Sequence, residues 1–421
     1  MIERFGDGRD WFYERRLGLF VHWGLYAVTA WHEQEQWRRG VSRRDYGRLI
    51  DRFNPVRFDP EAWLDLAQAA GMEYITFTTK HHDGFCLWDT DQTDFKVTRS
   101  PYGRDVLRLL ADACHRRGVP LCLYYSVVDW RHPNYPNQGR SHELSGPQVG
   151  DDPDLPAYLA FLKAQVRELC TRYGEIHGFW WDMNVTGVED TAINAMIREL
   201  QPNAVINNRG FDAGDFGTPE RDYDEQKGEV RVYDRLTEHC QSIGRESWGY
   251  RADEDYYAER HLMQSIADAL GKGANYLLNV GPRADGAMPA EAERMLRRIG
   301  AWYHGVREAF EGADPVSDLI DNRDVLLTRR GDTFYVILAR SPYLDRVLLR
   351  PFQSMPKRSV LLNTGAEVEA RVEFVPTQFL EHGNREPHLR LRALPVNQMT
   401  DTVLVIRLEF DGPPAIGVHG S

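Results

Sequence analysis

A chain of 421 residues, 42% hydrophobic and 27% charged, is long enough to bury one barrel-sized core and a second, smaller one. Its net charge of -12, with no Lys/Arg block, excludes a phosphate backbone or an anionic membrane surface as the main partner. Eleven tryptophans favour a ligand with flat apolar faces, and five cysteines in apolar contexts such as "VPLCLYY", with no CxxC spacing, fit a reducing compartment.

The N-terminus "MIERFGDGRDWFYERR" lacks the basic start, apolar run and cleavage site of a signal peptide, and no apolar stretch of about 18 residues follows it. The expected location is cytoplasmic. The first strand is read in "LGLFVHWG" (17–24), and Asp59-Pro60 then opens a helix that closes at Gly71 with Trp63, Leu66, Ala67 and Ala70 on one face. Further strands are expected in "YITFTT" (74–79), "VPLCLYYSVV" (119–128) and "IHGFWW" (176–181), the last two separated by a helix from Pro156 to Gly174. "AVINN" (204–208), "SWGY" (247–250) and "NYLLNV" (275–280) complete the set, and a long helix spans 289–312.

Strands apolar on both faces, alternating with helices, mean a parallel sheet. No G-x-G-x-x-G follows the first strand, which favours a closed (β/α)8-like barrel of the TIM type over an open dinucleotide-binding sheet. Only seven strands read clearly, so the barrel is expected to be irregular or to hide one strand. After residue 312 the pattern changes to alternating runs with Arg-Gly-Asp and Thr-Gly turns, predicting a C-terminal antiparallel β-sandwich over 313–421 behind a catalytic barrel over 1–312. Residues 413–421 read as a loose tail.

In a parallel barrel the active site lies at the C-terminal strand ends, and here those ends are polar: His22, Lys80-His81-His82-Asp83, Tyr124-Tyr125-Ser126, Trp180-Trp181-Asp182, Asn207-Asn208-Arg209 and Asn279. Adjacent His81 and His82 would reach one metal only if the strand breaks there, so hydrogen bonds to hydroxyls are the better use of them. Tyr125 reads either as a wall residue or as a hydroxyl contact, and Trp23, Trp37 and Trp88 either as core or as stacking platforms. Asp182, at the end of "HGFWW", is a carboxylate enclosed by aromatic rings; it reads as a nucleophile for an anomeric carbon or as a cap for the following helix.

Taken in order, "GLFVHWG", "TTKHHDGFCLWDT", "LYYSVVDW", "GFWWDMN" and "ANYLLNVGP" resemble the family 29 glycoside hydrolases, the α-L-fucosidases, over roughly residues 10–310. The resemblance implies a retaining, exo-acting enzyme that releases terminal α-L-fucose without metal or organic cofactor. It makes Asp182 the nucleophile and places His22, Trp37, His81, His82, Tyr125 and Trp180 around the sugar. Two departures stand out. "EQEQW" puts Gln36 where the family carries Glu before Trp37, leaving Glu35 one position early; and the acid/base, usually preceded by Trp, falls on Glu238 after Thr237, with Glu246 and Glu220 as rivals. Another retaining exo-glycosidase of galactoside type, a non-catalytic fucose-binding relative and a metal-dependent hydrolase remain as alternatives. The expected partner is a fucosylated oligosaccharide, with neither nucleic acid nor membrane, and self-association is left open.

Overall fold

The computed structural model describes residues 2–183, 188, 190–221, 230–340, 342, 344–374 and 386–417. Seven parallel strands, β1 (Leu17–Val21), β2 (Tyr74–Lys80), β3 (Leu121–Ser126), β4 (Gly178–Asp182), β5 (Val205–Ile206), β6 (Glu238–Ser242) and β7 (Asn275–Val280), pair in the order β5-β4-β3-β2-β1-β7-β6. Alternation splits them cleanly. Phe20, Tyr74, Cys122, Tyr124, Trp180, Cys240 and Leu277 form one inward cluster with Phe12 of the N-terminal segment, while Leu19, Ile75, Leu123, Tyr125, Phe179, Trp181 and Leu278 join the large core shared with the helices.

The gap between β5 and β6 is closed by an irregular stretch. Parallel bridges join Asn207 to Phe216, Gly217 to Thr237 and Glu220 to Cys240, and the amides of Glu238 and Cys240 donate to the carbonyls of Gly217 (2.9 Å) and Pro219 (3.1 Å). This is the hidden eighth strand. It is illegible as one because Gly217 carries no side chain and Pro219 has no amide to give the ladder. Conversely "SWGY" is not a strand: the strand of that region is β6, "EHCQS", too polar to have been recognised.

The helices end where their caps dictate. Asp59 accepts from the amides of Glu61 and Ala62 to open α1 (Pro60–Ala69), and Asp105 and Asp154 cap α2 (Val106–Arg117) and α3 (Leu155–Arg172). Three more, α4 (Thr191–Leu200), α5 (Glu259–Gly271) and α6 (Ala290–Val306), continue the outer layer. α1 and α6 approach so closely that a Cβ on Gly300 would lie 2.0 Å from the carbonyl oxygen of Ala69.

Beyond α6 the chain forms a six-stranded and a three-stranded antiparallel sheet, the first strand being Asp314–Pro315. Leu327, Phe334, Val336, Leu389, Leu391, Ile406 and Leu408 fill the space between them, while alternate residues Leu326, Tyr335 and Ile337 face the barrel core. Trp302 of α6 donates to Val403 O at 3.0 Å across that junction. The expected loose tail is partly tied down, since the amides of Gln353 and Gly417 donate to Ala415 O and Pro351 O, both at 2.9 Å; residues 418–421 lie outside the described set.

Candidate active site

Because inward residues alternate, β3, β4 and the eighth strand deliver Tyr124, Asp182 and Glu220 towards the C-terminal mouth, where they line one pocket with His22, His81, His82, Trp180 and Arg209. The β2–β3 register shifts between Thr78 and Lys80 and the strand stops there, which is how consecutive His81 and His82 both reach the pocket. Among the described residues no three His, Cys, Asp or Glu side chains are grouped to hold a metal ion.

Asp182 is held from several sides. Tyr124 Oη donates to its Oδ2 at 2.7 Å, Arg209 Nη1 donates to its Oδ1 at 3.3 Å, and His82 Nε2 stands 3.8 Å from Oδ2. Burial pushes the carboxyl up, but the Arg209 charge and the Tyr124 hydroxyl are among the groups that bring it below the ordinary carboxylate range. An ionised, desolvated carboxylate is the result. Arg209 reaches further: its Nη2 donates to Glu220 Oε2 at 3.1 Å, its Nε to Thr218 Oγ1 at 2.7 Å, and its guanidinium lies 4.6 Å over the Trp180 ring. One guanidinium therefore spans the two carboxylates.

The histidines are neutral acceptors. Asn279 uses its amide hydrogens on Ser242 Oγ (3.0 Å) and Trp248 O (2.7 Å), so its Oδ1 accepts from His22 Nδ1 at 2.7 Å. Ser126 donates its hydroxyl to Val128 O at 2.7 Å and so accepts from His82 Nδ1 at 2.6 Å. Both rings keep Nε2 as a lone pair, and burial lowers both to about 4. His81, stacked on Tyr124 with ring centroids 5.7 Å apart, is lowered further by burial and by the neighbouring histidines. Fixed acceptors of this kind suit the hydroxyls of a sugar.

The structure thus brings together Asp182, His22, His81, His82 and Trp180, and moves three expected residues out. Tyr125 points outward, donating to Gln165 Oε1 at 2.6 Å with Lys80 Nζ 4.6 Å from its ring; β3 pairs Tyr125 with Trp181 but Tyr124 with Trp180, so the pocket tyrosine is Tyr124. Trp37 stands behind the wall, stacked at 5.3 Å on His142, which lines the pocket in its place. Tyr124→Phe, which removes a donor to the ionised Asp182, is expected to lower kcat/KM about tenfold or more, whereas Tyr125→Phe leaves it within about twofold, measured on an aryl α-L-fucoside, the substrate class that the resemblance implies.

Glu238 is the third correction. It opens β6 instead of ending it, in register with Asn275 at the foot of β7, and is 1% exposed. Its Oε1 accepts from Tyr74 Oη at 2.5 Å and its Oε2 from Trp180 Nε1 at 3.0 Å; burial pushes this carboxyl up to about 7. It lies one inward position below Cys240, which lines the pocket beside Glu220, and it meets the Trp180 indole from beneath. Glu246 is exposed and off the pocket, so of the three glutamates only Glu220 lines it.

The first loop also differs from expectation. Glu35 pairs with Arg39 at 2.9 Å and Gln36 is buried elsewhere, while Glu33 and Gln34 line the pocket. Glu33 Oε2 accepts from Ser247 Oγ (2.6 Å) and from the amides of Trp248 (2.9 Å) and Gly249 (3.3 Å), clasping the "SWGY" loop so that Trp248 lies 5.3 Å from His22. Arg209 was visible in sequence only as the end of "NNR", and His142 and Glu33 gave no signal because their loops carry no periodic pattern.

Residues 6–307 match the family model described as alpha-L-fucosidase. The tissue alpha-L-fucosidases of Macaca fascicularis and Homo sapiens are 28% and 27% identical over 364 and 363 residues, covering 79% of this chain and 75% and 76% of theirs. Among solved structures, alpha-L-fucosidase isoenzyme 1 of Paenibacillus thiaminolyticus is 32% identical with a TM-score of 0.82 over 96% of this chain and 100% of its own. A Bacteroides thetaiotaomicron enzyme, 26% identical with a TM-score of 0.77 over 96% of this chain and 97% of its own, was trapped as a covalent intermediate with 2-fluoro-fucosyl fluoride. A pocket in which one guanidinium spans two carboxylates at the mouth of an irregular barrel, and a family match across that whole barrel, lead to one conclusion: this chain belongs to the α-L-fucosidases of glycoside hydrolase family 29.

Proposed function

We propose that the pocket hydrolyses terminal α-L-fucosides by double displacement, with Asp182 as nucleophile and Glu220, not Glu238, as acid/base. The chain is a retaining glycoside hydrolase, and retention requires two carboxyl groups about 5 to 5.5 Å apart. The single observation that carries the assignment is Arg209, whose two terminal nitrogens hold Asp182 and Glu220 at 3.3 and 3.1 Å.

In the first step Asp182 Oδ attacks the anomeric carbon from the β face while Glu220 gives its proton to the departing glycosidic oxygen. Tyr124 and Arg209 keep the nucleophile ionised and oriented before attack. In the second step Glu220, now a base, takes a proton from water that displaces Asp182, and α-L-fucose leaves. Glu220 is the more open of the two to incoming water, its side chain being 41% exposed against 14% for Asp182. The histidine Nε2 atoms of His22 and His82 accept sugar hydroxyls, and Trp180 and Trp248 supply apolar faces. ¹H NMR of the reaction in progress should show α-L-fucose as the first-formed anomer; β-L-fucose first would overturn the mechanism.

The acid side of the pH profile follows from the same groups. Protonation turns the Nε2 acceptors of His22 and His82, both near 4, into donors, and it removes the charge of Asp182, which lies lower than an ordinary aspartate. All these changes occur as pH falls, so kcat/KM is expected to hold down to about pH 5 and then drop steeply through pH 4, read from initial rates in matched ionic strength.

Small fucosylated oligosaccharides inside the cell are the proposed substrates. Five buried cysteines, all free, support a reducing compartment. No helix among the described residues is long and apolar enough to cross a membrane.

A further inference from the structure

The hydrolysis proposed above leaves one buried acid unused. Glu238 has no ion-pair partner among the described residues, yet both of its oxygens are engaged: Tyr74 Oη donates to one at 2.5 Å and Trp180 Nε1 to the other at 3.0 Å. The arrangement is built into the barrel floor. A Cβ on Gly18 would lie 2.4 Å from the Tyr74 ring, so β1 carries glycine where that ring crosses it, and Trp11 and Phe12 close it from below at 5.6 and 6.0 Å. Two donors converge on a space sealed from water, and an unmet donor there would be costly. One carboxyl accepts both.

What it holds is the pocket wall. The Trp180 ring, anchored from beneath by its Nε1–H, stacks on Tyr124 with centroids 5.8 Å apart and interplanar angle 19°, and carries the Arg209 guanidinium 4.6 Å above it. Tyr124 and Arg209 are the two donors to Asp182. An indole that turned about its stem would move both supports of the nucleophile together. We propose that Glu238 is a positioning residue: from under the floor it fixes the Trp180 indole, and through it Tyr124 and Arg209, in the geometry that binds fucose and presents Asp182. This rests on the reading of the pocket as a fucosidase site with Glu220 as acid/base. Cys122 and Cys240, which face the floor, stay neutral because burial raises both, and Arg16, whose charge acts on Tyr74, is a cation, so none of the three accepts the indole N–H in place of Glu238.

The test is a double-mutant cycle on the full chain: E238L, E238Q, W180F and W180F/E238L, assayed on aryl α-L-fucosides of good and poor leaving groups, with an iminosugar mimic of fucose as binding probe. E238L is expected to weaken iminosugar binding and raise KM about tenfold, lowering kcat/KM by one common factor whatever the leaving group. E238Q, whose amide oxygen still accepts the indole N–H while its NH2 donates to the Tyr74 oxygen, should stay within about threefold. In W180F, which has no indole N–H to hold, adding E238L should change KM by less than about twofold. If E238L does not fold, E238M takes its place in the cycle. Unchanged KM in E238L, or full additivity with W180F, overturns the inference while leaving Glu220 untouched. Selective loss of poor leaving groups in E238Q, with E220Q normal, overturns the inference and the acid/base assignment together.

Discussion

Asp182→Gly is expected to lose turnover of aryl α-L-fucosides by at least about 10³-fold, and sodium azide is expected to restore it with β-L-fucosyl azide as product. The reasoning is geometric. Asp182 Oδ2 and Oδ1 are already occupied by donors from Tyr124 and Arg209, so truncation leaves a small cavity walled by a hydroxyl and a guanidinium, both aimed at a missing anion. Azide fits that description and attacks from the face the carboxylate used, giving inversion once instead of twice. Sugar binding should survive better than turnover, because the acceptors His22 and His82 stand on other strand ends. Full activity in Asp182→Gly, or an α-azide product from it, would remove Asp182 from the nucleophile's place.

Glu220→Ala should behave differently. Loss of the acid is expected to reduce hydrolysis of fucosylated oligosaccharides about 10²- to 10⁴-fold, while substrates with activated leaving groups still load the enzyme and then wait at the second step. Azide needs no base, so it should accelerate that step and release α-L-fucosyl azide. The comparison with Glu238 is decisive, since the two glutamates sit on neighbouring strands, bridged at Glu220 and Cys240, but Glu238 lies one inward step deeper and off the pocket. Dependence on the leaving group belongs to the residue at the mouth. A uniform loss belongs to the one beneath the indole.

The residues that could be read from the sequence alone share one property: they directly follow strongly apolar strands. His22, His81, His82, Trp180 and Asp182 end runs whose burial is unmistakable, and the C-terminal rule for parallel barrels did the rest. Tyr124 and Tyr125 could not be separated that way. β3 is buried on both faces, so "LCLYYS" shows no polar alternation, and parity is settled only by the register that sets Tyr124 beside Trp180 and Ser126 beside Asp182. Glu238 misled for the opposite reason. β6 is polar because Glu238 and Ser242 point into the barrel, so a strand looked like a loop and its first residue looked free to reach the mouth.

The sequence by itself determined the barrel, the antiparallel domain after it, the family and the carboxylate behind the indoles, because these follow from periodicity and from local runs of residues. Only the tertiary structure decided which glutamate faces that carboxylate, which tyrosine supports it and that Arg209 joins the two acids. Those are relations between strands, fixed by register and by the closing stretch from Phe216 to Glu220, and register is a property of the closed barrel that no single segment carries.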